Sequence, residues 1–279
     1  MPEIDPASWS RRFGAGILFA ASIAFAGLAL DASAQTSDLV VHSSLRVCAD
    51  PANMPFSNQQ GEGFENKLAE LVGKVLNIPV TYFWFPQATG FIRNTLGAKN
   101  CDVVMGYAQG DELVLNTNHY YSSAYVMVVP QDSDIADIET LEDPRLKSKK
   151  IGLIAGTPPA TNLAANGLMP NVRSFALMVD RRFFSPAEDM VNQIASKELD
   201  LGILWGPIGG YYAKNAKVPL KVIPLVKETT GPRMVFRITM GVRQSDQDWK
   251  RQLNRLISEH QKEIDAILES YGVPLVQAD

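Results

Sequence analysis

Cysteine and histidine are scarce in this chain: its 279 residues hold two cysteines, Cys48 and Cys101, and three histidines, His42, His119 and His260. Two thiols cannot build a disulfide scaffold or a four-cysteine zinc site, and without a Cys-x-x-Cys-His run there is no covalent haem attachment. The histidines fall in a tail, a turn and a helix, with no ligand spacing, which argues against a metal site. No sign of charge dominates: 26 Lys plus Arg face 30 Asp plus Glu, and the formal net charge of -4 creates no broad positive field for nucleic acid or an anionic membrane. With 46% hydrophobic and 20% charged residues the chain is not collagen-like, coiled-coil or disordered, and its length is ample for a buried core. No nucleophile stands with a base, and Glu62 and Glu65 sit where carboxylates ordinarily cap a helix.

Long apolar runs are absent with one exception. Arg11 and Arg12 precede an apolar run from Phe13 to Leu30, followed by Ala32-Ser33-Ala34, the small-x-small pattern of a cleavage site. Residues 1–34 therefore read as a secretory signal peptide, and no Cys follows to carry a lipid. The removed segment carries Glu3, Asp5 and Asp31 against Arg11 and Arg12, so the mature chain stands at -3. A short tail, 35–44, leads into the fold.

From Leu45 onward, short apolar strands alternate with amphipathic helices. Leu45 to Ala49, Val80 to Trp84 and Asp102 to Met105 read as strands, with helices at Phe64 to Leu76 and Gly90 to Leu96 between them. This βαβαβ order predicts a mainly parallel sheet covered by helices. Phe64, Leu68, Leu71, Val72 and Val75 recur at helical spacing and form a core-facing stripe. Tyr125 to Pro130 leaves this unit. A second series begins at Ile151, with helices near Thr161 to Gly167 and Pro186 to Lys197, and ends at Leu201 to Trp205. The chain then returns through Met234 to Val242 into a final helix from Asp246 to Ser270. The expected division is 45–125 with 238–279 as lobe 1 and 126–237, crossovers included, as lobe 2. Ligands of such folds bind between the carboxyl ends of the two sheets.

Leu45-Arg46-Val47, Pro55-Phe56, Gly63-Phe64-Glu65, Tyr120-Tyr121 and Ile151-Gly152 through Gly156-Thr157 resemble the type II periplasmic solute-binding proteins from about Leu45 to Pro274. Gly61 to Lys67, Pro86-Gln87, Gly90-Phe91, Cys101 to Gly106 and Leu204-Trp205-Gly206-Pro207 are more specifically similar to the quinoprotein dehydrogenase-associated branch, the J proteins of methanol-oxidation gene clusters. The resemblance implies an α/β fold of two lobes, each a mostly parallel sheet flanked by helices, with two crossover strands as hinge. It also implies a non-catalytic periplasmic monomer without a cofactor, assisting or activating a PQQ-dependent methanol or alcohol dehydrogenase, with its c-type cytochrome as a further partner. The alternative is a solute-binding protein that delivers a neutral or apolar small molecule to an ABC importer.

Amino-acid binders of this fold resemble one another in three handles: an Arg for the ligand carboxylate, an Asp for its ammonium and a helix start whose free N–H groups take the carboxylate. The corresponding positions here are Leu113 and Trp205, which carry no charge, and Gly156-Thr157-Pro158-Pro159, where prolines replace two of the N–H donors. Aromatic residues are expected to line the cleft instead: Phe56, Trp84, Phe85, Phe91, Tyr107, Tyr120, Tyr121, Trp205 and Tyr211. Of the adjacent strand pair Trp84 and Phe85, alternation turns at most one toward the cleft. Glu65, Asn66, Gln87 and Gln109 are the candidate polar contacts at its mouth, and Gly206-Pro207 with Gly209-Gly210 offers either close approach to a partner or a tight turn. Cys48 and Cys101 are a candidate disulfide that an oxidising compartment favours. Simple parallel register opposes Cys48 to about Met105, however, which leaves Cys101 beyond the ~7 Å bridging limit, so pairing stays open at this point.

Overall fold

A computed structural model of the chain describes residues 39–277, so the signal peptide reading of residues 1–34 and the first part of the tail lie outside the described residues. Leu45–Ala49 forms β1, in which every residue except Arg46 is buried, as expected of a central strand covered on both faces. A small hairpin of β2 (Ala52–Asn53) and β3 (Ser57–Asn58) leads into helix α1 (Phe64–Leu76). The α1 stripe packs inward through Phe64, Leu68, Ala69 and Val72. Asn66 in its first turn accepts the backbone N–H groups of Gly63 and Asn58, and Asn77 closes the helix in the left-handed region, with φ of 54°. There follow β4 (Val80–Trp84), the single turn α2 (Phe91–Asn94) and β5 (Val103–Ala108). β1 lies between β4 and β5 in parallel register, Val47 opposite both Tyr82 and Val103.

The chain then enters β6 (Leu115–Pro130), a strand of 16 residues. The second series comprises β7 (Ile151–Ile154), α3 (Pro159–Ala165), β8 (Val172–Phe175), α4 (Pro186–Ala195), β9 (Leu201–Trp205), α5 (Gly206–Lys214) and β10 (Leu220–Pro224). β11 (Val235–Val242), α6 (Gln247–Glu259) and α7 (Gln261–Ser270) complete the fold. The sheet order is β4-β1-β5-β11-β6-β9-β7-β8, with β10 on the other edge of β6. Parallel trios therefore flank a central antiparallel pair. Residues 115–124 of β6 pair with β11, whereas Tyr125 to Val128 pair with β9, so one strand carries both halves of the sheet.

The structure differs from the sequence reading at three places. β6 begins ten residues before Tyr125 because Leu115 to Ala124 pairs with β11. The final helix breaks at His260, with φ of -116°, which turns Ile264 and Leu268 of α7 into the first core. Cys48 and Cys101 are joined, with Cα atoms 5.4 Å apart. The register opposes Cys48 to Val104 rather than Met105, and Cys101 precedes the strand. Three further residues of straight strand would place it about 10 Å away, but the chain bends at Asp102 and brings it back. Asp102 donates its N–H to the Arg46 carbonyl at 2.7 Å, and its buried carboxylate takes both Arg46 and Arg243 at 2.6 Å. Burial alone would raise the Asp102 pKa, but the hydrogen bonds from these two guanidinium groups outweigh it and hold the carboxyl below its usual range.

Candidate functional site

A cavity of about 580 Å³ lies between the two halves of the sheet. Its floor is made where β6 meets β9, by Tyr125 and Trp205. Pro51 to Met54 of the β2 hairpin close one side, and Ile154 with the segment 176–188 close the other. Trp205 sits there because β9 ends at it, and it is held by Tyr125 and Phe236 with ring centroids 5.4 and 5.7 Å away. Ile203, Ile208 and Leu204 add apolar wall.

Among the sequence-predicted residues, Trp205 lines this cavity. Phe91, Tyr120 and Tyr121 do not, being buried in the cores of the first half, where Tyr120 donates its hydroxyl to the Met105 carbonyl at 2.6 Å. Phe56 packs on Phe64, Trp84 stacks on Tyr82 at 4.6 Å, and Phe85 leans on Phe91 beside the disulfide. Tyr107 packs against the same cluster and donates to Asp111, and desolvation, then the Asp111 hydrogen bond, push its pKa up to about 12. Tyr211 stacks on Tyr271. Asn66 is a buried helix cap, and Gln109 is exposed with its N–H on the Arg237 carbonyl. Gln87 lines a smaller cavity of about 370 Å³, where its side-chain carbonyl takes the Asn53 amide at 2.9 Å. Alternation along a strand names two faces without saying which one a neighbouring helix covers, and the helices cover most of these aromatics.

Glu65 has the most perturbed carboxyl of the group. It is half-buried, with Oε1 pressed against Gly106, where an ideal Cβ would stand 2.1 Å away. Desolvation, then the charge of Asp50, raise its pKa to about 8, even though it occupies a helix first turn that favours the anion.

The segment 176–185, between β8 and α4, was invisible to periodicity. Phe183 and Phe184 border the main cavity, Leu177 borders both cavities, and Met178 borders the smaller one. Arg181 reaches across to Asp50 of the other half at 3.6 Å. Asp50 also takes the N–H groups of Ala52 and Gln87 at 2.9 and 2.7 Å. The sequence signal that could have revealed this segment is the run Arg181-Arg182-Phe183-Phe184, which puts cations and aromatics in a loop.

The handle positions are equally plain. Leu113 is exposed and outside the cavity, Trp205 forms its floor, and α3 begins at Pro158 and Pro159, neither of which has an N–H. The glycines after Trp205 serve internal packing: a Cβ on Gly206 would lie 2.4 Å from the Ala124 carbonyl, and one on Gly210 would lie 1.9 Å from that of Gly272. Among the described residues no group of histidine, cysteine and carboxylate side chains could hold a metal, and no helix is long and apolar enough to cross a membrane.

This α/β architecture with a cavity between the two halves of its sheet is that of a periplasmic-type binding protein, and the chain matches the bacterial extracellular solute-binding proteins, family 3, over residues 45–274 and belongs to that family. It is 30% identical over 292 aligned positions to Protein MoxJ of Methylorubrum extorquens, covering 95% of this chain and 96% of that one. The crystal structure of the periplasmic binding protein XoxJ from Methylobacterium extorquens AM1 is 41% identical with a TM-score of 0.72, covering 84% of this chain and 100% of that one. The crystal structure of MxaJ from Methlophaga aminisulfidivorans MPT is 29% identical with a TM-score of 0.71, covering 83% and 100%.

Proposed function

We propose that this chain is a non-catalytic periplasmic accessory protein of methanol oxidation, whose two lobes, 45–125 with 238–279 and 126–237, receive part of a PQQ-dependent alcohol dehydrogenase in the cleft between them and assist or activate it. The observation that carries this reading is a cavity floored by Tyr125 and Trp205, in a chain whose positions corresponding to the three amino-acid handles hold Leu113, Trp205 and a Pro158-Pro159 helix start. Likeness to the proteins named MoxJ, XoxJ and MxaJ supports the association with methanol oxidation. An aromatic concavity suits an inserted loop or helix, because aromatic rings bury a large area with few rotamers to lose. The Cys48–Cys101 bond fits an oxidising compartment.

One observation favours a second reading, a binding protein for a neutral or apolar solute: the cavity volume of about 580 Å³ falls within the range of small-molecule sites. The two readings separate in one titration of the mature chain against the purified quinoprotein dehydrogenase, following complex formation and dehydrogenase turnover. The accessory role predicts saturable binding, a rise in turnover, and weaker binding by Trp205→Ala, with the unfolding midpoint of that variant as the control for an intact fold. Absence of binding by the wild-type chain, together with its thermal stabilisation by a periplasmic small-molecule extract, overturns the accessory role in favour of solute capture.

A further inference from the structure

Twelve large hydrophobic side chains are exposed among the described residues, and four of them, Leu177, Met178, Phe183 and Phe184, fall in one stretch of eight residues. Exposed apolar side chains scattered singly are ordinary, whereas a cluster marks an interaction site. Phe183 is the most exposed of all, at 84%. Its ring is nevertheless held. Asp180 accepts the Arg182 backbone N–H at 3.1 Å and the Arg182 Nε and Nη2 groups at 2.9 and 2.6 Å. The Asp180 carbonyl accepts the N–H groups of Phe183 and Phe184. The Arg182 guanidinium then lies over the Phe183 ring, 5.5 Å from its centroid. One carboxylate thus organises the backbone of a turn that presents a phenyl group to solvent with a guanidinium over its ring.

Charge narrows the partner. Asp50 and Asp180 balance Arg181 and Arg182, but Arg182 engages Asp180 through Nε and Nη2, so its Nη1 edge stays open among the described residues. Arg181 is drawn toward Asp50 on the opposite side of the cleft, which anchors the segment beside the cavity mouth, where Phe183 and Phe184 stand. A carboxylate at the rim of an apolar pocket would match both the ring and the open guanidinium edge.

We infer that the turn from Asp180 to Phe184 is a docking knob, with Phe183 inserting into an apolar pocket of the partner protein and Arg182 meeting a carboxylate at its rim. This rests on the proposed accessory function and deepens it: the partner is the dehydrogenase, and this chain supplies an inserted side chain as well as a receiving cleft. Phe183 contributes almost nothing to its own fold, so Phe183→Ala leaves the melting temperature unchanged. The test is titration of the full mature chain, wild type, Phe183→Ala and Arg182→Gln, against the purified dehydrogenase at low and moderate salt. Phe183→Ala is expected to raise Kd at least about 30-fold, as for a central anchor, and Arg182→Gln to weaken binding and flatten its salt dependence. Equal affinity of Phe183→Ala and wild type overturns the knob and leaves the accessory function standing, whereas failure of the wild-type chain to bind the dehydrogenase overturns both.

Discussion

Replacing Glu65 by Gln isolates one carboxyl whose surroundings resist its ionisation. Its Oε1 lies against Gly106, desolvation with the nearby charge of Asp50 lifts its pKa from an ordinary 4.5 to about 8, and Tyr120 and Tyr121 face the same site without offering a positive charge. In the unfolded chain the group ionises near its ordinary value. Between those two values the unfolded chain has released a proton that the folded chain still holds, so wild-type stability falls as pH rises through this window and levels off above about pH 8. One proton corresponds to about 1.4 kcal/mol per pH unit, so the window amounts to at most about 5 kcal/mol, and partial access of water to the side chain brings it nearer to about 3. Glu65→Gln keeps the shape of the protonated acid and has no proton to release. Urea denaturation of both proteins from about pH 5 to about pH 9 reads the difference directly, because the three histidines are common to both and cancel. The stability of Glu65→Gln relative to wild type is expected to climb with pH and reach a plateau above about pH 8. Parallel curves across the range would refute the reasoning, since they would mean that Glu65 ionises in the folded protein as it does in the unfolded one.

Two further outcomes follow from packing and connectivity. Removing the Cys48–Cys101 bond by double substitution to Ser releases a loop with a sequence separation of 53. Loop entropy sets the expected loss at about 4 kcal/mol, which appears as a midpoint about 8 to 16 °C lower in thermal unfolding. Gly210→Ala drives a Cβ to within 1.9 Å of the Gly272 carbonyl, a backbone atom that cannot swing aside. It is expected to cost about 1 to 3 kcal/mol in urea unfolding, and an unchanged unfolding midpoint would mean that the two backbones separate at little cost.

How much of this was legible depends on which physical signal each residue carried. β1, β9 and the α1 stripe announce themselves, because burial on both faces demands an unbroken apolar run and burial on one helical face demands a 3.6-residue period. The absent handles were legible too, since Leu113, Trp205 and Pro158-Pro159 lack the required charge or N–H whatever surrounds them. Cleft membership was not. Tyr120, Tyr121 and Phe91 are as aromatic as Trp205, but α1, α6 and the disulfide cluster cover them, and that is a tertiary fact. The candidate disulfide is present, and simple register weighs against it only because it carries a straight strand back past Asp102, where the chain bends and two arginines hold the carboxylate. The segment 176–185 has no period, so only its composition could have singled it out.

The double arginine of that segment also bears on what the cleft receives. Arg181 and Arg182 are the two guanidinium groups that border the cavity, and each already faces a carboxylate of this chain, Asp50 at 3.6 Å and Asp180 at 2.6 Å. A free amino acid entering the cavity would have to draw Arg181 from Asp50, or share Arg182 with Asp180, to gain a charge-assisted bond of about 1.5 to 3 kcal/mol. That exchange trades one carboxylate for another, and no carboxylate at the Trp205 position repays the ligand ammonium. A polypeptide segment brings no terminal charges to match and gains instead from the apolar walls, at about 25 cal/mol for each Å² removed from water. The same arrangement therefore offers a free amino acid little net gain in charge pairing, whereas an inserted apolar side chain would gain from the walls. Arg181 pairs with Asp50, which holds the Asp180 turn beside the cavity mouth.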